Sequence, residues 1–400
     1  MQPPEPRSAL VIAGVHVKSD AYPNVKYKVE GLLAHPDLDA LEVNFAPDPS
    51  QRFGLQRGKL DALRGAVQLG LSHLRVLWAL VRRSPGKALY VPYPAVFVVF
   101  LASLLPRRWR PRSIHADAFI SLYDTVVNDR ALVKPGHPLA RLLFAVERRA
   151  YRFADRVLVD TELNAEHMAS MFSLPLKRFL AVPLSINEGI YAPAGNSPAG
   201  ADCTVLFIGT FVPLQGVDVI AKAIVSLRDQ PGLKFRIIGS GQSAPEVEAI
   251  LAAGQCDNVH WERGWQSAQA LAAEIRQADI CLGIFGAGEK AQRVWPLKNY
   301  GYMAVGRALI TAGTPAARHL AGEAPAPWVE VPAGDPAALA QAIAGLAADP
   351  VRRAACARAA AQFYQDHMTN AASLQALVDS LAPPPKPLQC CAADSATAQP

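Results

Sequence analysis

Residues 204–218 read T-V-L-F-I-G-T-F-V-P-L-Q-G-V-D: a short apolar run, a turn with two glycines, and the beginning of a helix. The same order of apolar strand, small-residue turn and amphipathic helix recurs along the chain, from S-A-L-V-I-A-G at 8–14 to W-V-E-V at 328–331. Strands that alternate with helices form parallel sheets joined by right-handed crossovers. The sequence therefore predicts an α/β protein with doubly wound parallel sheets.

The chain is long enough for two domains. Its 400 residues exceed the size at which one hydrophobic core keeps growing. A segment rich in Pro, Gly, Ala and Ser at 191–203 is the best boundary. We predict an N-terminal domain over 1–192, a C-terminal domain over 193–365, and a helix at 366–381 that can return to the N-terminal domain. The tail at 382–400 has the composition of disorder.

Positive charge is concentrated in the first half of the chain. Residues 1–190 carry 25 Lys and Arg against 17 Asp and Glu, whereas residues 191–400 carry 15 against 17. A basic half suits a phosphorylated ligand, an anionic membrane or nucleic acid. No helix-turn-helix, zinc-finger or RNA-recognition motif is present, so we expect no nucleic-acid partner.

Cysteine usage and the first residues indicate the compartment. All six cysteines lie in the second half and none forms a C-x-x-C pair, which favours buried thiols in a reducing environment. The apolar stretch near the beginning is too short for a signal peptide. We therefore expect a cytoplasmic protein. Residues 88–105 have the length of a membrane span, but Pro92 and Pro94 interrupt them, and we predict a buried strand followed by a buried helix.

Three cations follow one of the predicted strands. In G-I-F-G-A-G-E-K-A-Q-R-V-W-P-L-K-N-Y-G (283–301), Lys290, Arg293 and Lys298 lie within nine residues, and a helix is predicted from about Pro296. Arg can hold phosphate oxygens in pairs, and Lys acts as a point charge. The three form either a diphosphate clamp or a solvated basic loop. The two glycines at 209 and 216 either let a phosphate approach a helix start or serve packing.

These segments resemble the C-terminal domain of family 4 retaining glycosyltransferases, which have the two-domain fold called GT-B. The motif G-T-F-x-P-L-x-G matches 209–216, and G-I-F-G followed by P-x-K matches 283–298. Residues 22–27, 117–130 and 154–161 resemble the N-terminal half of the same branch. The resemblance implies two domains facing across a cleft. It also implies transfer of a sugar from a nucleotide diphosphate donor to a hydroxyl of a glycan or lipid-linked acceptor, with retention of configuration.

The resemblance also implies donor-binding residues, and the chain departs from the family at four of the usual positions. Thr210 and Gln215 stand where the family usually carries Arg and Lys, and Gly301 stands where it carries a ribose-binding Glu. The first acidic position of the family falls near Arg293. The cations of the neighbouring loop are therefore expected to supply the charge, which needs no metal or other cofactor. The expected donor contacts are Gly209, Thr210, Phe211, Gln215, Gly216, Lys290, Arg293, Lys298 and Asn299.

Three residues of the N-terminal half are candidates for catalysis. Asp117 follows a strand at the place where many family members carry a His that faces the transferred sugar. His115 lies two residues earlier, so strand alternation points it to the same side. Asp124 follows in the next loop. Each is either catalytic or structural, through capping, ion pairs or a satisfied core histidine. Asn24 and Lys26 are expected in a loop at the cleft, and Glu188 at the hinge.

A basic segment suggests where the N-terminal domain meets a membrane. L-P-R-R-W-R-P-R at 105–112 places a Trp among four arginines, and Arg82 and Arg83 can join it. The segment is either a docking patch at the inner membrane face, as in family members that use lipid-linked acceptors, or a solvated loop. Two other functions fit the same architecture. One is a nucleotide-sugar epimerase, and the other is an inactive scaffold subunit.

Overall fold

The computed structural model describes residues 8–20, 22–46, 59–193 and 202–381. In the N-terminal half, six parallel strands form one sheet in the order β2-β1-β3-β4-β5-β6. Strand β3 is buried along its whole length, as expected of a parallel strand that is covered on both faces. The strands are β1 (Ser8–Gly14), β2 (Leu38–Asn44), β3 (Ala88–Val91), β4 (Ser113–Asp117), β5 (Arg156–Val159) and β6 (Phe179–Ala181).

Helices connect these strands and cover the sheet. Local chemistry fixes their ends: the side chain of Thr161 accepts a hydrogen bond from the Asn164 amide, 3.1 Å away, which caps the helix that follows β5. The helices are α1 (Pro23–Ala34), α2 (Lys59–Arg83), α3 (Val96–Ala102), α4 (Pro138–Phe153) and α5 (Glu162–Phe172). A π-helical turn at Asp124–Asp129 lies between β4 and α4.

The second sheet has the strand order of a nucleotide-binding domain. Its six parallel strands run β12-β11-β10-β7-β8-β9, so the order reverses between β7 and β10. Ligands of such sheets bind beyond the carboxyl ends of the strands at this reversal. The strands are β7 (Cys203–Ile208), β8 (Leu233–Ile238), β9 (Val259–Glu262), β10 (Ile280–Leu282), β11 (Ala308–Ala312) and β12 (Val329–Val331). The helices are α6 (Val217–Ser226), α7 (Ala244–Gly254), α8 (Ala268–Gln277), α9 (Glu289–Arg293), α10 (Leu297–Val305), α11 (Pro315–Ala321), α12 (Pro336–Ala348) and α13 (Pro350–His367).

The final helix, α14 (Asn370–Leu381), returns to the N-terminal domain. It packs against α1, and Leu377 and Leu381 are buried in the same cluster as Leu10 and Ile12 of β1. The chain therefore crosses between the domains twice, once near Glu188 and once between α13 and α14.

The architecture confirms the predicted α/β fold of two doubly wound sheets. Residues 88–105 form strand β3 and helix α3, as predicted, and no helix in the described ranges is long and apolar enough to span a bilayer. Strand β6 was not predicted from the sequence. The tail at 382–400 and most of the boundary segment fall outside the described residues.

Candidate active site

A cavity of about 570 Å³ opens between the two domains. Its walls come from the loop before α1, from the first crossing between domains, and from the C-terminal domain beyond β7 and β9. Apolar side chains form much of the wall, with a few polar groups among them, which is the usual make-up of a small-molecule site. The lining residues include Ser19, Asp20, Pro23, Ile186, Asn187, Tyr191, Ile208, Trp265, Gln269, Lys298, Gly301 and Tyr302.

Lys298 joins this cavity to the reversal point of the second sheet. Its ammonium nitrogen lies 3.8 Å from the ring centre of Phe207 on β7, and it donates a hydrogen bond to Gln215 Oε1 at 3.2 Å. Among the described residues, no carboxylate lies within ion-pair distance of it. Burial therefore lowers the pKa of Lys298 well below its usual value. An anion placed here would stabilise the protonated form, so Lys298 is suited to a phosphate oxygen.

The other two cations of the predicted clamp are already paired. Arg293 donates to Asp124 Oδ2 at 2.7 Å, and Lys290 lies 3.0 Å from Asp129 Oδ2. Both carboxylates belong to the N-terminal domain, so these are contacts across the cleft. The hydroxyl of Thr161, also in the N-terminal domain, donates a hydrogen bond to the backbone oxygen of Arg293. The N-terminal domain therefore supplies counter-charges to Lys290 and Arg293, and their role in holding a donor diphosphate stays a prediction.

The glycines of the predicted phosphate turn pack tightly against backbone and side chains. Gly216 has φ +61°, and a Cβ there would lie 2.5 Å from the Gly286 nitrogen. A Cβ on Gly209 would overlap Gln215 Oε1. Backbone atoms exclude a side chain at Gly216 whatever ligand the turn holds, whereas Gly209 is crowded by the side chains of Phe207 and Gln215.

The remaining predicted donor residues differ in exposure. Thr210 is exposed, whereas Phe211 is buried and stacks on Trp261 with ring centres 5.2 Å apart. Asn299 is fully buried, and its side-chain nitrogen and oxygen have no hydrogen-bond partner among the described residues. Of the donor residues predicted from the sequence, Lys298 is the one that lines the cavity.

Two of the catalytic candidates do not face the cleft. Asp117 is buried with Lys28, whose ammonium lies 3.5 Å from Asp117 Oδ2, and it accepts a hydrogen bond of 3.0 Å from the Tyr90 hydroxyl. His115 is also buried, and its Nε2 lies 2.7 Å from the backbone oxygen of Ser380 on α14. The expectation that both point into the cleft is therefore wrong, because core contacts enclose them.

Asp124 does lie at the domain boundary, in the π-helical turn. Burial opposes its ionisation, but His167, Arg293 and Lys290 beside it hold the pKa of its carboxyl well below the usual range. Asp124 is therefore ionised near neutral pH, and its charge serves the contact between domains.

Asn24 and Lys26, expected in a loop, lie in the first turn of α1, and with Glu188 they hold the cavity walls in place. Lys26 donates to Asp20 Oδ1 at 2.9 Å, and Asp20 lines the cavity. Asn24 is buried and accepts a hydrogen bond from the Ser185 amide at 3.0 Å. Glu188 Oε1 accepts from the Tyr364 hydroxyl at 2.9 Å and from the Asn370 amide at 2.7 Å. Glu188 thus ties the first crossing between domains to the second.

The sequence interpretation did not single out Trp265 or Asp160. Trp265 follows β9, lines the cavity and is 82% exposed, so its ring is available to a ligand. Asp160 follows β5, and burial raises its pKa to about 6. Asp160 comes directly after β5, and Trp265 lies three residues beyond Glu262, where β9 ends. Ligands of parallel sheets are expected just beyond the strands, and this position is the signal that would have identified both residues.

Part of the chain matches a known protein family. Residues 202–349 match the family model described as Glycosyl transferases group 1. Curated D-inositol 3-phosphate glycosyltransferases are also similar. The protein of Actinosynnema mirum is 26% identical over 249 residues, which are 56% of this chain and 56% of that protein. The protein of Segniliparus rotundus is 28% identical over 156 residues, 36% of this chain and 34% of that protein. The chain thus spans between a third and about half of these relatives.

Solved structures match nearly the whole chain in shape. Sucrose-phosphate synthase from Thermosynechococcus elongatus superposes with a TM-score of 0.71 at 16% identity, covering 94% of this chain and 99% of that one. HepE from Anabaena in complex with UDP superposes with a TM-score of 0.66 at 12% identity, with the same two coverages. The chain therefore has the two-domain GT-B fold, and its C-terminal domain is similar in sequence to glycosyl transferases group 1 over residues 202–349.

Proposed function

We propose that this protein is a glycosyltransferase. It moves a sugar from a nucleotide diphosphate donor in the interdomain cavity to a hydroxyl of a glycan or lipid-linked acceptor, with retention at the anomeric carbon. The family match over the C-terminal domain supports the activity, and the UDP complex of a structural neighbour supports the donor class. The resemblance to family 4 supports retention.

One observation supports the donor site above all: the placement of Lys298. The Lys298 side chain is partly buried, has no carboxylate partner in the described part of the chain, and lies between the cavity and the carboxyl end of β7. Sugar transfer leaves negative charge on the departing diphosphate. A fixed cation in a partly dehydrated site stabilises that charge strongly. On this proposal no divalent metal is needed, and EDTA should leave the transfer rate unchanged.

The nucleoside would lie at the end of the cavity formed by Trp265. An exposed indole offers a flat apolar face to a base, and Gln269 offers both a donor and an acceptor on the same wall. The acceptor would enter over the basic N-terminal domain. A cytoplasmic location with contact at the inner membrane face is part of the proposal.

A donor screen followed by a turnover assay tests the proposal. UDP-, GDP- and ADP-sugars are first compared by thermal shift, because a ligand of the native state raises the melting temperature. Release of nucleoside diphosphate is then measured with the stabilising donor and candidate acceptors. Lys298→Ala should weaken donor binding by about 1–3 kcal/mol. Lys222→Ala, which removes an exposed lysine of α6, should not.

Each outcome of that assay selects one function. Release of nucleoside diphosphate with transfer of the sugar supports the proposal. Conversion of the nucleotide sugar without release would instead identify an epimerase. Binding without any turnover would identify a scaffold subunit, and unchanged donor affinity in Lys298→Ala would remove Lys298 from the site.

A further inference from the structure

Helix α2 (Lys59–Arg83) is apolar on two opposite faces. One face packs into the N-terminal domain through Val76, Ala79 and Leu80. The other is turned to solvent, and its side chains are between 49% and 62% exposed. At 100° per residue these side chains fall within an arc of about 80°, so they form one continuous stripe. The stripe consists of Leu63, Val67, Leu71, Leu74 and Trp78.

Such a stripe needs a partner. A surface helix of a globular protein normally presents polar residues on the side away from the core. Contiguous exposed apolar surface marks a contact with another protein, a ligand or a membrane.

The charge beside the stripe narrows the choice of partner. Arg64, Arg75 and Arg82 fall along one edge of it, at about 100–120° on the same helical wheel. The guanidinium of Arg82 lies over the ring of Trp78, 4.0 Å from its centre. Residues 62–116 contain nine Lys and Arg and not one Asp or Glu. Asp61, in the first turn of the same helix, lies 3.8 Å from the Arg64 guanidinium and is the acid nearest this segment. The surface is therefore apolar with a net positive charge.

The neighbouring elements extend this surface. Helix α3 and the turn at Arg107–Trp109 both contact α2. Leu104, Arg107 and Arg108 are exposed there, and Arg108 lies over the ring of Trp109 at 4.6 Å. The basic segment predicted from the sequence as a membrane contact is thus joined to an apolar helix face that the sequence interpretation did not identify.

We propose that the stripe of α2 lies in the interface of an anionic lipid bilayer, parallel to the membrane plane. Leu and Trp side chains enter the boundary between headgroups and acyl chains, and the arginines along the edge meet anionic headgroups. A second copy of the chain fits less well, because it would bring two rows of arginines together. The inference deepens the membrane contact of the proposed function, but its test needs no transferase activity.

Vesicle sedimentation with the full chain tests the surface. The wild type should bind vesicles of phosphatidylcholine with phosphatidylglycerol, and bind pure phosphatidylcholine more weakly. The double variant Leu71→Ser, Trp78→Ser should bind about tenfold or more weakly, because it removes apolar surface that enters the lipid. The triple variant Arg64→Gln, Arg75→Gln, Arg82→Gln should lose the preference for anionic vesicles and the dependence on salt.

Matched control variants distinguish binding through the stripe from nonspecific adsorption of exposed apolar side chains to vesicles. Leu142 on α4 and Val351 on α13 are 60% and 80% exposed. The control variant Leu142→Ser, Val351→Ser should bind like the wild type. Lys298→Ala, which alters only the cavity, should also bind normally, so failure of the donor site and failure of the membrane site are distinguishable.

Four results would overturn the proposal. The first is a wild type that binds neither kind of vesicle. The second is equal binding to anionic and neutral vesicles, and the third is an equal loss in the control variant. The last is a lipid-free dimer that Leu71→Ser, Trp78→Ser dissociates, because the stripe would then be an interface between two copies.

Discussion

Arg293 of the C-terminal domain donates a hydrogen bond to Asp124 of the N-terminal domain at 2.7 Å, and both side chains are buried. Lys290 reaches Asp129 in the same turn at 3.0 Å. These pairs join the two domains on the cleft side, where the structure also places Lys298. Lys290 and Arg293, which we predicted from the sequence to bind the donor, thus also form ion pairs that join the two domains.

Asp124→Asn should destabilise the protein by about 3–5 kcal/mol, because it leaves the Arg293 guanidinium buried without its counter-charge. The free energy of unfolding, measured in urea at pH 7, checks this. Asp218→Asn is the matched control, since it breaks an exposed pair with Lys222 and should change the value by less than about 1 kcal/mol. An equal, small effect of both changes would show that the Arg293 contact does not stabilise the native state.

The same pair has a defined dependence on pH. The pKa of Asp124 is lower in the folded than in the unfolded chain, so its contribution is complete above the unfolded value of about 4. It is lost as the pH falls below that value. The wild type should therefore lose stability more steeply than Asp124→Asn between about pH 4 and pH 2. Parallel acid-unfolding curves for the two proteins would contradict the assignment.

Asp117→Asn should act on stability rather than on chemistry. Lys28 and Asp117 are both almost fully buried, and removing one charge leaves the other without a partner, at a cost of about 3–5 kcal/mol. Adding Lys28→Met should restore much of this loss in a denaturation experiment. If Asp117→Asn instead kept wild-type stability while its turnover fell a hundredfold, Asp117 would have a catalytic role.

Asp160→Asn should stabilise the protein above pH 6. Burial raises the pKa of Asp160 to about 6, so the folded state holds a proton that the unfolded state has already lost between about pH 4 and pH 6. Stability from this group therefore falls as the pH rises through that range. Asn keeps the shape without the charge, and melting temperatures at pH 5 and pH 7.5 should show a gain mainly at the higher value. A loss at both pH values would contradict this.

Donor affinity should fall at alkaline pH through Lys298. Binding of a diphosphate requires the ammonium, and its pKa in the free protein lies below the usual value. Affinity should therefore decline as the pH rises through that lowered pKa, before an ordinary lysine would titrate. Calorimetry from pH 7 to pH 10 measures this. Lys298→Arg retains its charge over the whole range and should give a flat profile; a wild-type profile equally flat would exclude Lys298.

Trp265→Ala should weaken binding of the donor by about 1–3 kcal/mol if the base stacks on the indole, as bases do on aromatic side chains elsewhere. Trp78 is a second exposed Trp, on α2, and does not line the cavity. Trp78→Ala should therefore leave donor affinity unchanged. Fluorescence titration with the donor selected by the screen measures both. Equal affinities for Trp265→Ala and the wild type would move the base away from this wall.

The local sequence pattern predicted most of the fold but few of the contacts in the candidate site. Strands β1 and β3 fall at their predicted residues, because buried apolar runs between turn residues carry the signal. The pairing of Arg293 with Asp124 joins residues far apart in sequence, and it depends on how the two domains sit together. The spacing of residues around Arg293 or around Asp124 carries no information about how the two domains pack. The orientation of His115 could not be predicted for the same reason, because its hydrogen-bond partner, Ser380, lies on α14.

The return of α14 to the first sheet also fixes an order of events during synthesis. Leu377 and Leu381 belong to the same buried cluster as Leu10 and Ile12, so the N-terminal domain lacks part of its core until the ribosome has passed residue 381. The C-terminal domain, whose sheet and surrounding helices are contiguous in the chain, can close first. The domain that is made first is therefore the one that is completed last.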